Sequence, residues 1–144
     1  MKKFTLMFMT MIMAVLLVGC AGAAFGGTTS GSSGNEGAYH KITQEEAKKM
    51  MTDNPKAIIL DVRTAGEYAE KHIPNARLVP NEDIKDQPIE GLNKDDVILV
   101  YCRTGHRSKQ ASDKLVKMGY KNIYDFGGIT TWPYETEAGA YKGM

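Results

Sequence analysis

Val97-Ile98-Leu99-Val100-Tyr101 runs directly into Cys102-Arg103-Thr104-Gly105-His106-Arg107-Ser108, and the reading of this stretch decides the fold. Five consecutive β-favouring apolar residues fit a strand covered on both faces of a parallel sheet. Ser108 to Met118 then places Ala111, Leu115 and Met118 at helical spacing, and Gly119 suits a left-handed C-cap. A strand that feeds a helix through a polar loop puts that loop at the carboxyl edge of the sheet, where open α/β proteins bind ligands.

The pattern repeats outward from there. Upstream, Ala57-Ile58-Ile59-Leu60 is a second continuous apolar run, closed by Asp61. Thr43-Gln44-Glu45-Glu46 and Thr64 to Glu67 both fit capping boxes, a hydroxyl at the N-cap with a carboxylate three residues on. Ala47, Met50 and Met51 give the first helix an apolar face, and the second ends before His72-Ile73-Pro74. Leu78-Val79 reads as a brief strand, and Asn81 to Asp96 as loop with a helical turn. Downstream, Ile123-Tyr124 makes a short strand, Gly127-Gly128 a turn, and Ile129 to Trp132 a last helical turn stopped by Pro133. Strands alternating with helices predict an α/β fold: a small parallel β-sheet with helices on both faces.

Chemistry concentrates in the loop. Cys102 lies at the sheet edge, backbone N–H groups of the loop and following helix point inward, and Arg103 and Arg107 add positive charge. Both effects favour a thiolate over a thiol and attract an anionic substrate. Gly105 lets the chain curl. The bland alternative is a structural cysteine buried at a strand end; two arginines and a glycine crowding one cysteine argue against it.

Cys102 to Ser108 resembles the active-site loop of rhodanese domains, C-R-x-G-x-R followed by S or T. Asp61-Val62-Arg63, Glu67-Tyr68 and His72-Ile73-Pro74-Asn75-Ala76 resemble that family's D-V-R, E-Y and G-H-I-P-G-A stretches. Gly127-Gly128-Ile129 with Trp132 resembles its closing G-G-x-x-x-W. The stretches follow the family's order across Tyr39 to Tyr134, within a rhodanese domain expected at 39–144. Two positions depart: Lys71 stands where the family often has Gly, and Asn75 replaces its second Gly. Asn tolerates the left-handed region better than most residues, so the turn at Asn75 can persist.

The resemblance implies a sulfurtransferase that uses no cofactor. Cys102 would be the catalytic nucleophile, taking the outer sulfur of thiosulfate or of a persulfide or polysulfide and passing it to cyanide or a thiol. This is double displacement through a covalent intermediate. Arg103, Thr104, Gly105, His106, Arg107 and Ser108 would form the substrate-binding loop, their N–H groups cradling the transferred sulfur. Arg103 and Arg107 are assigned to anion attraction, the alternative being that one of them pairs with an acidic neighbour. Ser108 is expected to cap the following helix, His106 to contact substrate at most, Asp61, Arg63 and Glu67 to brace the sheet edge near the site, and Trp132 to pack in the core.

The same fold serves phosphatases and arsenate reductases, whose loops typically carry five residues between Cys and Arg. Four separate Cys102 from Arg107 here, which makes a narrower cradle suited to a sulfur atom. Rhodanese-like binding modules without catalysis lack the cysteine. His40, His72 and His106 show no ligand spacing for a metal, and there is no Gly-rich nucleotide fingerprint.

The 144 residues suffice for one ordinary domain plus appendages. Met1-Lys2-Lys3, the charge-free stretch Phe4 to Val18, and Gly19 before Cys20 have the pattern of an export signal. The apolar run is shorter than the roughly 20 residues that span a bilayer as a helix. Leu17-Val18-Gly19-Cys20 resembles a bacterial lipobox, which implies a signal peptide at 1–19 and a lipidated Cys20 anchoring the chain to a membrane, on its periplasmic or extracellular face. The alternatives are an ordinary signal peptide or an uncleaved anchor. Residues 21–38, rich in Gly, Ser, Ala and Thr, read as a flexible linker about 23 Å from end to end, at roughly 5–6 Å times the square root of the length. Without Lys2 and Lys3, 16 basic side chains face 17 acidic ones, so nucleic acid is not an expected partner. The expected partners are small sulfur-containing anions, thiol acceptors, the membrane through the lipid, and a redox or sulfur enzyme.

Overall fold

A computed structural model describes residues 38–143; the expected signal segment, Cys20 and the expected linker before Ala38 lie outside the described residues. Within this span the order is β1 (Tyr39–Lys41), α1 (Gln44–Asp53), β2 (Ile58–Asp61), α2 (Ala65–Glu70), β3 (Arg77–Leu78), β4 (Val97–Cys102), α3 (His106–Lys117), β5 (Asn122–Gly128) and a 3-10 turn at Ile129–Thr131. Every strand pairing is parallel, in the order β1-β5-β4-β2-β3. The chain therefore has the expected α/β architecture, with β4 at the centre.

Alternation along β4 sorts the two cores. Ile98, Val100 and Cys102 face one side with Ala111 and Leu115 of α3, while Leu99 and Tyr101 face the other with Ala47 of α1, Tyr68 of α2 and Trp132. Helices thus cover both faces, and Trp132 packs in the core as expected. Both capping boxes form. Thr43 N–H donates to Glu46 at 2.7 Å, and Thr64 N–H to Glu67 at 3.1 Å, with each threonine hydroxyl accepting the return bond.

Three boundaries differ from the sequence reading. β1 is a strand of three residues that the sequence does not announce, held by pairing with Ile123, Tyr124 and Asp125. β5 continues through Gly127-Gly128, because β4 and β5 slip register between Val100 and Cys102: Val100 pairs with Asp125 but Cys102 with Gly128. The extra residue on β5 is a bulge, of the kind that re-aims a strand end beside a site. α3 starts at His106, two residues before the expected helix. Asn75 does adopt the left-handed region, at φ 63°, so it does the work of the glycine it replaces. Lys71 has extended backbone, φ −165°, which needs no glycine.

Candidate active site

Cys102 is the last residue of β4 and is 1% exposed. The chain leaves the sheet there and turns back at Gly105, whose φ of 106° only glycine adopts without strain. Gly105 is the N-cap of α3, and its N–H donates to Cys102 Sγ at 3.0 Å. An amide aimed at the sulfur stabilises negative charge on that atom. The geometry is that of a nucleophile seated at a helix entrance, on the rim of the sheet.

The loop is fastened from below. Thr130 N–H and Oγ1–H both donate to the Arg103 carbonyl, at 3.2 and 3.0 Å. Gly128 passes so close that a Cβ there would lie 2.6 Å from Thr104 Cα and closer still to the Arg103 carbonyl. The expectation that Ser108 caps α3 is corrected: no side chain caps this helix. Ser108 is buried in its first turn, and its Oγ lies 3.0 Å from the Gly105 carbonyl and 2.8 Å from Asp125 Oδ1. A helix opened by a left-handed glycine frees the serine for this second task.

The two arginines part company. Arg107 forms a two-pronged pair with Glu67, at 2.8 and 2.7 Å. Those bonds, against the effect of burial and with help from Thr64, hold the Glu67 carboxyl down at about 2. The Arg107 guanidinium is held charged first of all by Glu67. Arg107 is therefore a cation fixed in place by Glu67, in the first turn of the helix that follows the Cys102 loop. Arg103 is exposed, and its guanidinium makes no hydrogen bond or ion pair among the described residues.

Asp61, Arg63 and Glu67 do not form one cluster. Asp61 and Arg63 are buried together, paired at 2.6 Å, with Tyr101 OH donating to Asp61 at 2.7 Å and Arg63 donating to the Lys71 carbonyl at 2.6 Å. This braces the end of β2 against the His72 turn. Glu67 instead joins the helix that follows the Cys102 loop, through Arg107. Thr104 is exposed on the loop and His106 is exposed at the start of α3, where its Nε2 accepts from Gln110 Nε2 at 3.3 Å.

Asp125 was not among the residues singled out from the sequence, yet it is the buried acid on which the loop rests. A carboxylate inside the apolar strand Ile123-Tyr124-Asp125-Phe126 was the available signal.

Comparison with known proteins identifies the family. A model of the rhodanese-like domain matches residues 43–134. The chain is similar to thiosulfate sulfurtransferase GlpE of Pseudomonas putida, 34% identical over 107 residues that cover 71% of this chain and 96% of that protein. It is 33% identical over 94 residues to a sulfurtransferase of Allochromatium vinosum, covering 65% of this chain and 87% of that one. A crystal structure of a rhodanese-like domain protein from Staphylococcus aureus matches with a TM-score of 0.61 at 32% identity, over 68% of this chain and 96% of that one. Other relatives are longer: the chain spans 57% of a Bacillus subtilis protein named as a sulfur carrier and 30% of a tRNA uridine(34) hydroxylase from Pectobacterium carotovorum.

Proposed function

Because this chain belongs to the rhodanese-like domain family, we propose that it is a sulfurtransferase working through a persulfide on Cys102. The observation that carries the reading is the Gly105 N–H donating to Cys102 Sγ at 3.0 Å at the end of the central strand. In the first half-reaction the Cys102 thiolate attacks the outer sulfur of thiosulfate. The S–S bond breaks, sulfite leaves with the bonding pair, and Cys102 carries the sulfur; with a persulfide or polysulfide donor the leaving group is the shortened thiolate. In the second half-reaction cyanide or a thiolate attacks that outer sulfur, and Cys102 returns as thiolate. Covalent catalysis of this kind divides the transfer into two easier displacements.

The roles follow from the charges. Arg103, with no partner of its own, meets the incoming anion, and Arg107, fixed by Glu67, offsets negative charge on the sulfur. The four residues between Cys102 and Arg107 favour a single sulfur atom over a tetrahedral phosphate or arsenate. Incubation with thiosulfate and cyanide tests the reading: thiocyanate should form, the intact mass should rise by about 32 Da for one sulfur on the covalent intermediate, and Cys102→Ala should show neither. A folded protein that gains no mass with thiosulfate, polysulfide or mercaptopyruvate would refute it.

From the N-terminal sequence we also propose that the domain lies outside the cytoplasm, tethered by a lipid on Cys20, where its partners would be small sulfur anions, thiols and a redox or sulfur enzyme. The residues in support are Leu17-Val18-Gly19-Cys20 after the charge-free run. Fatty-acid labelling in a bacterial host should be lost in Cys20→Ser; a Cys20→Ser chain that keeps its label would exclude this anchor.

A further inference from the structure

Cys102 is 1% exposed, so a donor that reaches its sulfur must first displace a neighbouring group. The groups along the rim differ in what moving them requires. On one side the loop is fixed through its backbone: Thr130 donates twice to the Arg103 carbonyl, and Gly128 passes too close to Thr104 to admit a Cβ. On another, Asp61 and Arg63 are 0% and 4% exposed and are locked to Tyr101 OH and the Lys71 carbonyl. The Glu67–Arg107 pair is built differently. It joins two side chains, 23% and 25% exposed, that can part by bond rotation without a shift of backbone.

Topology sets where this pair lies. β2 and β4 are parallel neighbours, with Asp61 level with Tyr101. After β2, α2 packs on one face of the sheet through Tyr68; after β4, α3 packs on the other through Ala111 and Leu115. Glu67 lies in the first turn of α2 and Arg107 in the first turn of α3. Their two hydrogen bonds, at 2.8 and 2.7 Å, therefore cross the rim where both strands end, and Cys102 is the last residue of β4. We propose that the Glu67–Arg107 pair is a latch over this rim, and that an oxyanion donor opens it by taking the place of the Glu67 carboxylate on the Arg107 guanidinium. The proposal rests on the sulfurtransferase reading and concerns how its first substrate gains entry.

The exchange is chemically even. A guanidinium holds a carboxylate through two parallel N–H bonds, and two oxygens of a sulfonate end can accept the same pair. Thiosulfate carries such an end opposite the sulfur that is transferred. Glu67 is not stranded on release, because its Oε2 also accepts from the Thr64 N–H and hydroxyl, each at 3.1 Å. As Cys102 takes the outer sulfur, the S–S bond breaks and sulfite departs with the bonding pair. Arg107 then returns to Glu67 and closes over the persulfide. An uncharged reagent offers Arg107 nothing in exchange and reaches the sulfur only when the pair parts unaided.

The test uses the full chain and two measures of entry. Iodoacetamide, small and uncharged, alkylates Cys102 and is followed by mass on the peptide that carries it; thiosulfate loads Cys102 and is followed by the gain of one sulfur. Alkylation rates are compared on their alkaline plateau, where ionisation of the thiol no longer contributes. Glu67→Gln keeps the capping box, in which Gln serves as Glu does, but removes the charge that holds Arg107. Alkylation should rise about tenfold, the scale of one partly exposed two-pronged ion pair, and the KM for thiosulfate should fall. Arg107→Gln should also speed alkylation but raise that KM, because the anion loses its seat. Glu46→Gln, the same change in the capping box of α1, should alter neither. Slower or unchanged alkylation in Glu67→Gln, or a KM that rises, would make the pair a brace and overturn the latch while leaving sulfur transfer standing. A chain that is alkylated but never loads overturns the sulfurtransferase reading, and the exchange with it.

Discussion

Ser108 Oγ donates to Asp125 Oδ1 across 2.8 Å, joining the first turn of α3 to the middle of β5 beneath the Cys102 loop. The Asp125 carboxylate is 1% exposed and gathers three more contacts: Gly127 N–H at 2.9 Å, Tyr39 OH at 3.2 Å and Lys41 Nζ at 3.2 Å. Its charge is balanced chiefly by hydrogen bonds, because Lys41 is 55% exposed and largely solvated.

Asp125→Ala should therefore be costly. It strands the Gly127 amide and takes an acceptor from Tyr39 and Ser108, of which Ser108 keeps the Gly105 carbonyl at 3.0 Å, and a loss of about 2 kcal/mol is expected. Ser108→Ala removes a single donor and should cost about 1 kcal/mol. Urea denaturation of the two variants measures both, and the reverse ranking would show that Asp125 is not the support of the loop.

Acid stability should report the Glu67–Arg107 pair. The Glu67 carboxyl is held at about 2 in the folded chain against an ordinary 4.5. Its contribution is complete above about pH 4.5 and lost as pH falls through about 2. Allowing for solvent screening of a partly exposed pair, about 1–2 kcal/mol is expected. The stability difference between the wild type and Glu67→Gln should be constant near neutrality and close in this acid window; a difference that persists at pH 2 would mean the pair acts through packing instead.

The opposite limb belongs to Tyr39. Burial, then the neighbouring Asp125 charge, push its phenol up to about 12. A raised phenol favours the protonated form, so its stabilisation is present below about pH 10 and disappears as pH climbs through 12. Absorbance titration of tyrosinate should lose a phenol ionising near 12 in Tyr39→Phe.

Gly128→Ala should damage the site more than the fold. The added methyl would meet the backbone of Arg103 and Thr104, so the loop must shift away. Sulfur loading is expected to slow by more than about tenfold, for a stability loss of about 1–3 kcal/mol typical of overpacking. Single-turnover mass measurements and a thermal melt separate the two. Near wild-type loading would show that the loop tolerates displacement.

The central strand, both capping boxes, the left-handed Asn75 and the loop from Cys102 to Arg107 were legible because each is a local pattern. What escaped was set by partners distant in sequence. Glu67 and Arg107 are 40 residues apart, so the sequence shows two separate charges and the fold makes them one. Ser108 has the composition of a cap, but Gly105 enters the helix first and Asp125, 17 residues on, claims the hydroxyl. β1 is too short to carry a period and exists through its pairing with β5. Gly127-Gly128 reads as a turn because glycine marks turns, whereas here it allows the strand to pass beneath the loop.

The enclosure of Cys102 has a consequence for how the protein ages. It is the free cysteine of the described residues, and at 1% exposure it is sealed between the end of β4 and α3. A bulky disulfide cannot reach its sulfur without prying the loop from the sheet, whereas a few-atom donor needs only a small opening. Two copies of the chain likewise cannot be joined through Cys102 while both remain folded. A cysteine enclosed in this way is shielded from bulky thiols and from pairing with a second copy of the chain.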